Sequence, residues 1–303
     1  MALLFSKIDV KATMIATSVM IVLAIILSFV PWLSVLLLLF ATIPGIVLWH
    51  KSIPSFGMSA LITVIITTLT KSVFALSIVI IIFILSAVIG QLLKERASKE
   101  RIFYLASFIS SLITLVVIMI LQSIKMIPLT YQMIKPLESL MKEAQKVSDV
   151  SKESMDMLEN SIHTLSASFP SFLVLFIIFI VFLNLLITFP MLREFKIATP
   201  SFKPLYSWET NRSFLWIYFV VLLGMMFTTE INTWTSILLN LQVMLQLVMF
   251  IQGLSLIHYF AHKKRFPTAV SVIFVILGVI FYPITRLIGM LDLGINLKGF
   301  IKK

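Results

Sequence analysis

Apolar residues in this chain come in long runs closed by short clusters of Lys, Arg, Pro or aromatic side chains, with no strict alternation of polar and apolar positions. Runs near 12–30, 32–49, 57–70, 72–93, 102–124, 170–192, 213–229, 232–261 and 267–285 read as helices of roughly bilayer length. Continuous runs exclude a β-barrel, whose strands alternate at period two. Pro31 separates the first two runs, because it lacks an N–H and disfavours helix before it. The stretch 57–93 would be about 55 Å long as one helix, against a hydrocarbon core of about 30 Å. It is therefore divided near Lys71, with a short re-entrant element before one true span as the alternative.

Residues 129–168 form the one sizeable polar segment. Leu137, Ala144, Ser151, Leu158 and Leu165 recur every seven residues, with Leu140, Val147 and Ile162 near the second heptad position. Glu138 and Lys142 make a favourable i,i+4 pair. The pattern predicts a long amphipathic helix outside the membrane, either packed on its own spans or self-associating. Its acidic residues outnumber its basic ones, which disfavours binding to anionic lipid by charge.

The expected fold class is thus an all-α integral membrane protein with about 8–9 transmembrane helices and one long extramembrane amphipathic helix. Its parts are N-terminal spans (1–128), the extracytoplasmic helix (129–168) and C-terminal spans (169–303). Composition agrees: of 303 residues, 60% are hydrophobic and 12% charged, and mean hydropathy is +1.09. The 24 Lys and Arg against 13 Asp and Glu are dispersed between spans, so they present no basic face to nucleic acid. With no Cys, disulfides, thiolate catalysis and Cys-ligated metal are excluded. Run 12–30 follows Lys7 and Lys11, lacks a small-x-small cleavage site and reads as a retained span.

Basic residues in short loops orient the chain. "KERASKER" (94–101), the 193–212 loop and "HKKRF" (262–266) are expected in the cytoplasm together with the N-terminus, in a multi-pass protein of a bacterial cell membrane. The same count of nine spans places Arg286, Lys298, Lys302 and Lys303 outside. Either the tail lies along the outer interface, or one span near the C-terminus is miscounted.

The junction "PLYSWETNRSFLWIYF" (204–219) concentrates aromatic and charged residues. Trp208, Trp216 and Tyr218 suit the headgroup level, where Arg212 snorkels, so the stretch reads as an interfacial anchor that sets the depth of the next span. These residues also carry a family pattern. The Trp208 to Arg212 spacing before an aromatic-rich span, and the ending "IGMLDLGINLKGFIKK" with Gly289 and Asp292, resemble the YybS-like family of bacterial multispanning membrane proteins of unknown function. That family often has Pro where Asn211 stands. It is distantly similar to the substrate-binding subunits of energy-coupling-factor transporters, which implies a shared fold type and carries over no binding residue.

No Gly-rich phosphate loop, HExxH, GxSxG or metal-spaced cluster is present, so neither an enzyme nor a cofactor is expected. His258 and His262 share a helix face beside "KKR" and read as interfacial histidines rather than metal ligands. In the eighth run Thr235, Gln242, Gln246, Met249 and Gly253 fall on one stripe, which must face protein or a water-filled cavity. The stripe, with Asn184 as partner, is either interhelical glue or the wall of a ligand site. Ala12 and Ala16 form a small-xxx-small pair for a close helix neighbour. The function expected is non-enzymatic: binding a small molecule or lipid, or acting as a transport-complex subunit beside an ATPase or other membrane partner. The alternative is a scaffold that recruits an envelope partner through 129–168.

Overall fold

A computed structural model describes residues 8–126, 139, 152–228 and 232–302 of the chain. The described residues are helical and contain no strand. The helices are α1 (Val10–Phe29), α2 (Ser34–Leu38), α3 (Thr42–Lys51), α4 (Ile53–Leu69), α5 (Val73–Lys94), α6 (Lys99–Ser123), α7 (Lys152–Glu194), α8 (Ser213–Met226), α9 (Thr233–Lys263), α10 (Thr268–Ile280), α11 (Tyr282–Ile295) and α12 (Leu297–Lys302). In hydrocarbon each backbone N–H and C=O must be satisfied within its own segment, so apolar runs become helices. Side chains supply the missing partners at helix starts: Asp9, Ser52, Ser72, Ser98 and Asn232 each accept from an N–H three residues on. Helix ends show a different device. Lys71, Arg96, Lys125, Lys196 and Arg265 hold the left-handed conformation where glycine is usual, each with φ between 51° and 58°.

Among the described residues six helices are long and apolar enough to cross a membrane: Val10–Phe29, Ser34–Lys51 (α2 and α3 together), Val73–Lys94, Lys99–Ser123, Asn160–Glu194 and Thr233–Lys263. The pair α10–α11, bent by 103°, makes a seventh if counted as one span. The remaining expected runs, 57–70 and 213–229, are the shorter helices Ile53–Leu69 and Ser213–Met226. This is an all-α membrane protein. The stretch 57–93 is two helices that part at Lys71, as expected. Of the polar segment 129–168, residues 129–138 and 140–151 lie outside the described residues. Its last part, 152–168, runs without a break into the expected span 170–192 as α7.

The chain forms two compact units. The first comprises Met1–Ile127 and Val174–Phe202. In it α1 packs on α4 through Ala16, Met20 and Leu23, with Ala12 at the edge, so the alanine pair is used inside the chain. A second core joins α3, α5, α6 and α7 through Ile46, Ile89, Ile102, Leu185 and Phe189. Contacts identify the unit's two ends. At one, Lys51 pairs with Asp9 at 3.6 Å, Ser55 Oγ accepts from Asp9 N and Lys99 Nζ donates to Ser201 O. At the other, Ser28 and Thr70 share a hydrogen bond of 2.9 Å.

The second unit comprises Pro128–Leu173 and Lys203–Lys303. Here α9 is the central helix, and α8, α10 and α11 pack on it. Between α9 and α11 the backbones nearly touch. A Cβ at Gly289 would lie 1.9 Å from Met249 O, and one at Gly253 would lie 2.0 Å from Thr285 O. The bend between α10 and α11 is sealed by Thr285 Oγ1, which donates to Gly278 O at 2.7 Å. Large apolar side chains cover the outside of both units: Trp32 and Phe227 are 78% and 86% exposed. Such a surface is stable against acyl chains and unstable against water.

Gly289→Ala should lower the melting temperature of the detergent-solubilised protein, because the atoms met are backbone and cannot yield; overpacking of this kind costs about 1–3 kcal/mol or more. Gly57→Ala meets nothing within 4 Å and should leave the melting temperature unchanged or raised. Equal effects of the two substitutions would refute the close α9–α11 crossing.

Candidate functional site

Asn184 is the clearest case of an intramembrane polar group with a defined task. The break between α2 and α3 frees carbonyls that a continuous helix would have used. Both protons of Asn184 Nδ2 go there, to Leu38 O at 2.8 Å and Leu39 O at 3.1 Å. Its Oδ1 accepts from Thr42 Oγ1 at 3.0 Å, and Ser86 Oγ donates to Thr42 O. All of these residues belong to the first unit. No donor of Asn184 remains for a ligand.

The other candidates lie in the second unit. Gln242 and Gln246 are half-buried and make no hydrogen bond among the described residues. Thr235 is buried and bonded to Asn232, the cap of α9. Met249 is fully buried against Gly289. The amide that does engage partners is Gln252. Its Nε2 donates to Asp292 Oδ2 at 2.5 Å, and its Oε1 accepts from Thr210 N at 3.0 Å. Asp292 Oδ1 accepts from Lys298 N at 2.9 Å. Lys298 Nζ donates to Trp208 O and, at 2.8 Å, to Ser255 Oγ. Ser255 Oγ also lies 2.7 Å from Leu205 O and 2.9 Å from Trp208 O, so its one proton serves either carbonyl. Asp292 and Lys298 are each 4% exposed. A carboxylate and an ammonium are thus buried in one network that ties the 204–210 loop to α9, α11 and α12. A stripe centred on Gln242 misses Gln252, which falls about 80° away at 100° per residue.

The expected interfacial anchors divide. Trp208 is half-buried, with Nε1 donating to Thr210 Oγ1 at 3.0 Å. Arg212 and Trp216 are exposed, whereas Tyr218 is buried with Leu215 and Val221. Asn211, where the family pattern often has Pro, accepts from Ser213 N at 3.1 Å and so helps to start α8. The His258 and His262 rings both face Tyr206, edge-on at 5.4 Å and stacked at 4.0 Å.

A further polar feature lies in the first unit, at its Lys51–Asp9 end. There a concavity of about 350 Å³ is bordered by His50, Lys51, Lys94, Arg96 and Lys196, with Leu93, Phe195 and Ile197 as apolar wall. No Asp or Glu lines it. Lys94 Nζ donates to Trp49 O and lies 5.7 Å from the Trp49 ring centroid. His50 Nδ1 lies 3.1 Å from Ile46 O; since a carbonyl only accepts, Nδ1 carries the proton. The sequence shows these cations only as three separate basic loops. Their convergence depends on how α3, α5 and α7 pack.

The family described as Predicted membrane protein (DUF2232) matches residues 18–293. The chain is also 35% identical over 124 residues to "Uncharacterized protein YybS" of Bacillus subtilis (strain 168). That match spans 40% of this chain and 40% of the relative's length. No solved structure matches.

Gln252→Leu should destabilise the protein, because Asp292 Oδ2 and Thr210 N lose their partner at about 1–3 kcal/mol each, more for the charged group. Gln242→Leu with Gln246→Leu should leave the melting temperature in detergent nearly unchanged. The opposite ranking would show that the stripe, not the Gln252 network, holds the helices.

Proposed function

The chain belongs to the DUF2232 family of predicted membrane proteins, and for this multispanning protein we propose a non-catalytic role, the binding of a small molecule or lipid, alone or as a subunit of a transport complex. The observation that supports it is the cation-lined concavity of the first unit. Its volume of about 350 Å³ falls at the lower end of the roughly 300–1,000 Å³ common for small-molecule sites. Intramembrane amides of the kind that could serve chemistry, Asn184 and Gln252, are instead used to satisfy helix breaks and loops. Native mass spectrometry of gently solubilised protein tests the reading. A retained small molecule, or a co-purified ATPase, is expected; protein that arrives bare of both under conditions that keep it folded would overturn it.

The orientation proposed has the N-terminus and the concavity on the cytoplasmic side. Basic residues favour that side, and Lys51, Lys94, Arg96 and Lys196 border one concavity, at the end where Asp9 meets Lys51. For the second unit, the return of Lys298 to Trp208 and Ser255 supports a re-entrant α10–α11 rather than a crossing. The tail cations then share the side of the 193–212 loop, which removes the conflict with the count of nine crossings. The chain has no Cys, so single cysteines can be placed without background. Ser98→Cys, Ser201→Cys and Lys302→Cys should all label from the cytoplasm only, and Ser148→Cys from outside only. Labelling of Lys302→Cys from outside would contradict the re-entrant reading.

A further inference from the structure

We propose that the concavity of the first unit binds a phosphate monoester, the chemistry shared by a phosphatidic acid headgroup and a soluble phosphorylated metabolite; this rests on the small-molecule reading above and names its ligand class. Four cations border one small space without a carboxylate among its lining residues. Lys51 has a counter-charge in Asp9, and Lys94 is engaged by Trp49 O. Arg96 and Lys196 have no side-chain hydrogen bond or ion pair among the described residues. Like charges held around one cavity repel unless an anion lies among them. A phosphate monoester carries a charge of about −1.5 to −2 at pH 7 and three acceptor oxygens. It can therefore take an Arg fork and a Lys point charge together, and it offsets more of the cluster's charge than the single charge of a carboxylate does. The apolar wall of Leu93, Phe195 and Ile197 would take the non-phosphate part.

Backbone geometry allows the charges at this cavity to be tested apart from the ordinary preference for cations at helix ends. Arg96 and Lys196 occupy left-handed positions, with φ of 51° and 58°. Each closes the same turn, in which Ala97 N bonds Leu92 O and Ile197 N bonds Leu192 O. Glycine is favoured there, so a side chain is kept against a backbone cost. Lys71 and Lys125 occupy the same conformation but do not line the cavity. They supply an internal control.

The test exploits that conformation. Arg96→Gly with Lys196→Gly removes both charges while relieving strain, so the full-length protein should fold with an unchanged or higher melting temperature. Binding of inorganic phosphate and of short-chain phosphatidic acid is measured in phosphate-free detergent buffer, with short-chain diacylglycerol as the phosphate-free control. The parent should bind at least one phosphate probe, more weakly as salt rises. The double glycine variant should bind at least about tenfold more weakly, the equivalent of one charge-assisted hydrogen bond. Lys71→Gly with Lys125→Gly should bind as the parent does. Binding of inorganic phosphate assigns a soluble source, and binding of the lipid alone assigns a headgroup. If neither probe binds, or if the double variant binds as the parent does, the proposal is overturned. The wider small-molecule reading would then survive only if native mass spectrometry still showed another molecule bound.

Discussion

A buried carboxylate and a buried ammonium, Asp292 and Lys298, determine how the second unit closes. Burying either one without hydrogen-bond partners would be costly. Gln252, Ser255, the Lys298 N–H and the Trp208 carbonyl surround them with donors and acceptors, and in doing so fix the loop before α8 and the chain after α11 to one region of α9. Gly253 and Gly289 make that possible by letting the backbones approach until a methyl group would not fit. The close crossing and the polar network depend on each other: a wider crossing would part Gln252 from Asp292, and an unpaired Asp292 would force the helices apart.

The same rule governs the first unit with neutral groups. A span broken between α2 and α3 exposes carbonyls, and Asn184 supplies both missing protons. These two networks account for the most deeply buried amides of the protein. What they leave over lies at a helix-end surface, where cations from α3, the α5–α6 turn and the segment after α7 surround an open space.

Much of this was legible in the sequence, and the remainder was hidden for definite reasons. Apolar runs give the helices, and Lys71 gives the division of 57–93. Hydropathy could not see the 103° bend between α10 and α11, because Phe281, Tyr282 and Pro283 are apolar enough to pass as part of a span. Asn184 was visible as an intramembrane amide, but its partners lie about 145 residues away at a break that only packing reveals. Asp292 stands out in the sequence only within the family ending and Lys298 only within a basic tail, and Gln252, which donates to Asp292, falls outside the Gln242 stripe. Tyr218 has an interfacial composition around it, yet its helix turns it towards Leu215 and Val221.

The central claim is that Asp292 and Lys298 belong to one coupled network, joined through the Lys298 N–H and through Gln252 and Ser255 of α9. A double-mutant cycle in detergent, with Asp292→Asn, Lys298→Met and the pair, measures this directly by melting and denaturant midpoint. Each single substitution removes a member of that network and should destabilise. The pair should be more stable than the sum of the two losses implies, by at least about 1 kcal/mol, well beyond the roughly 0.3–0.5 kcal/mol scatter of independent sites. Losses that simply add would show that the two residues are not coupled through the network and would contradict the account.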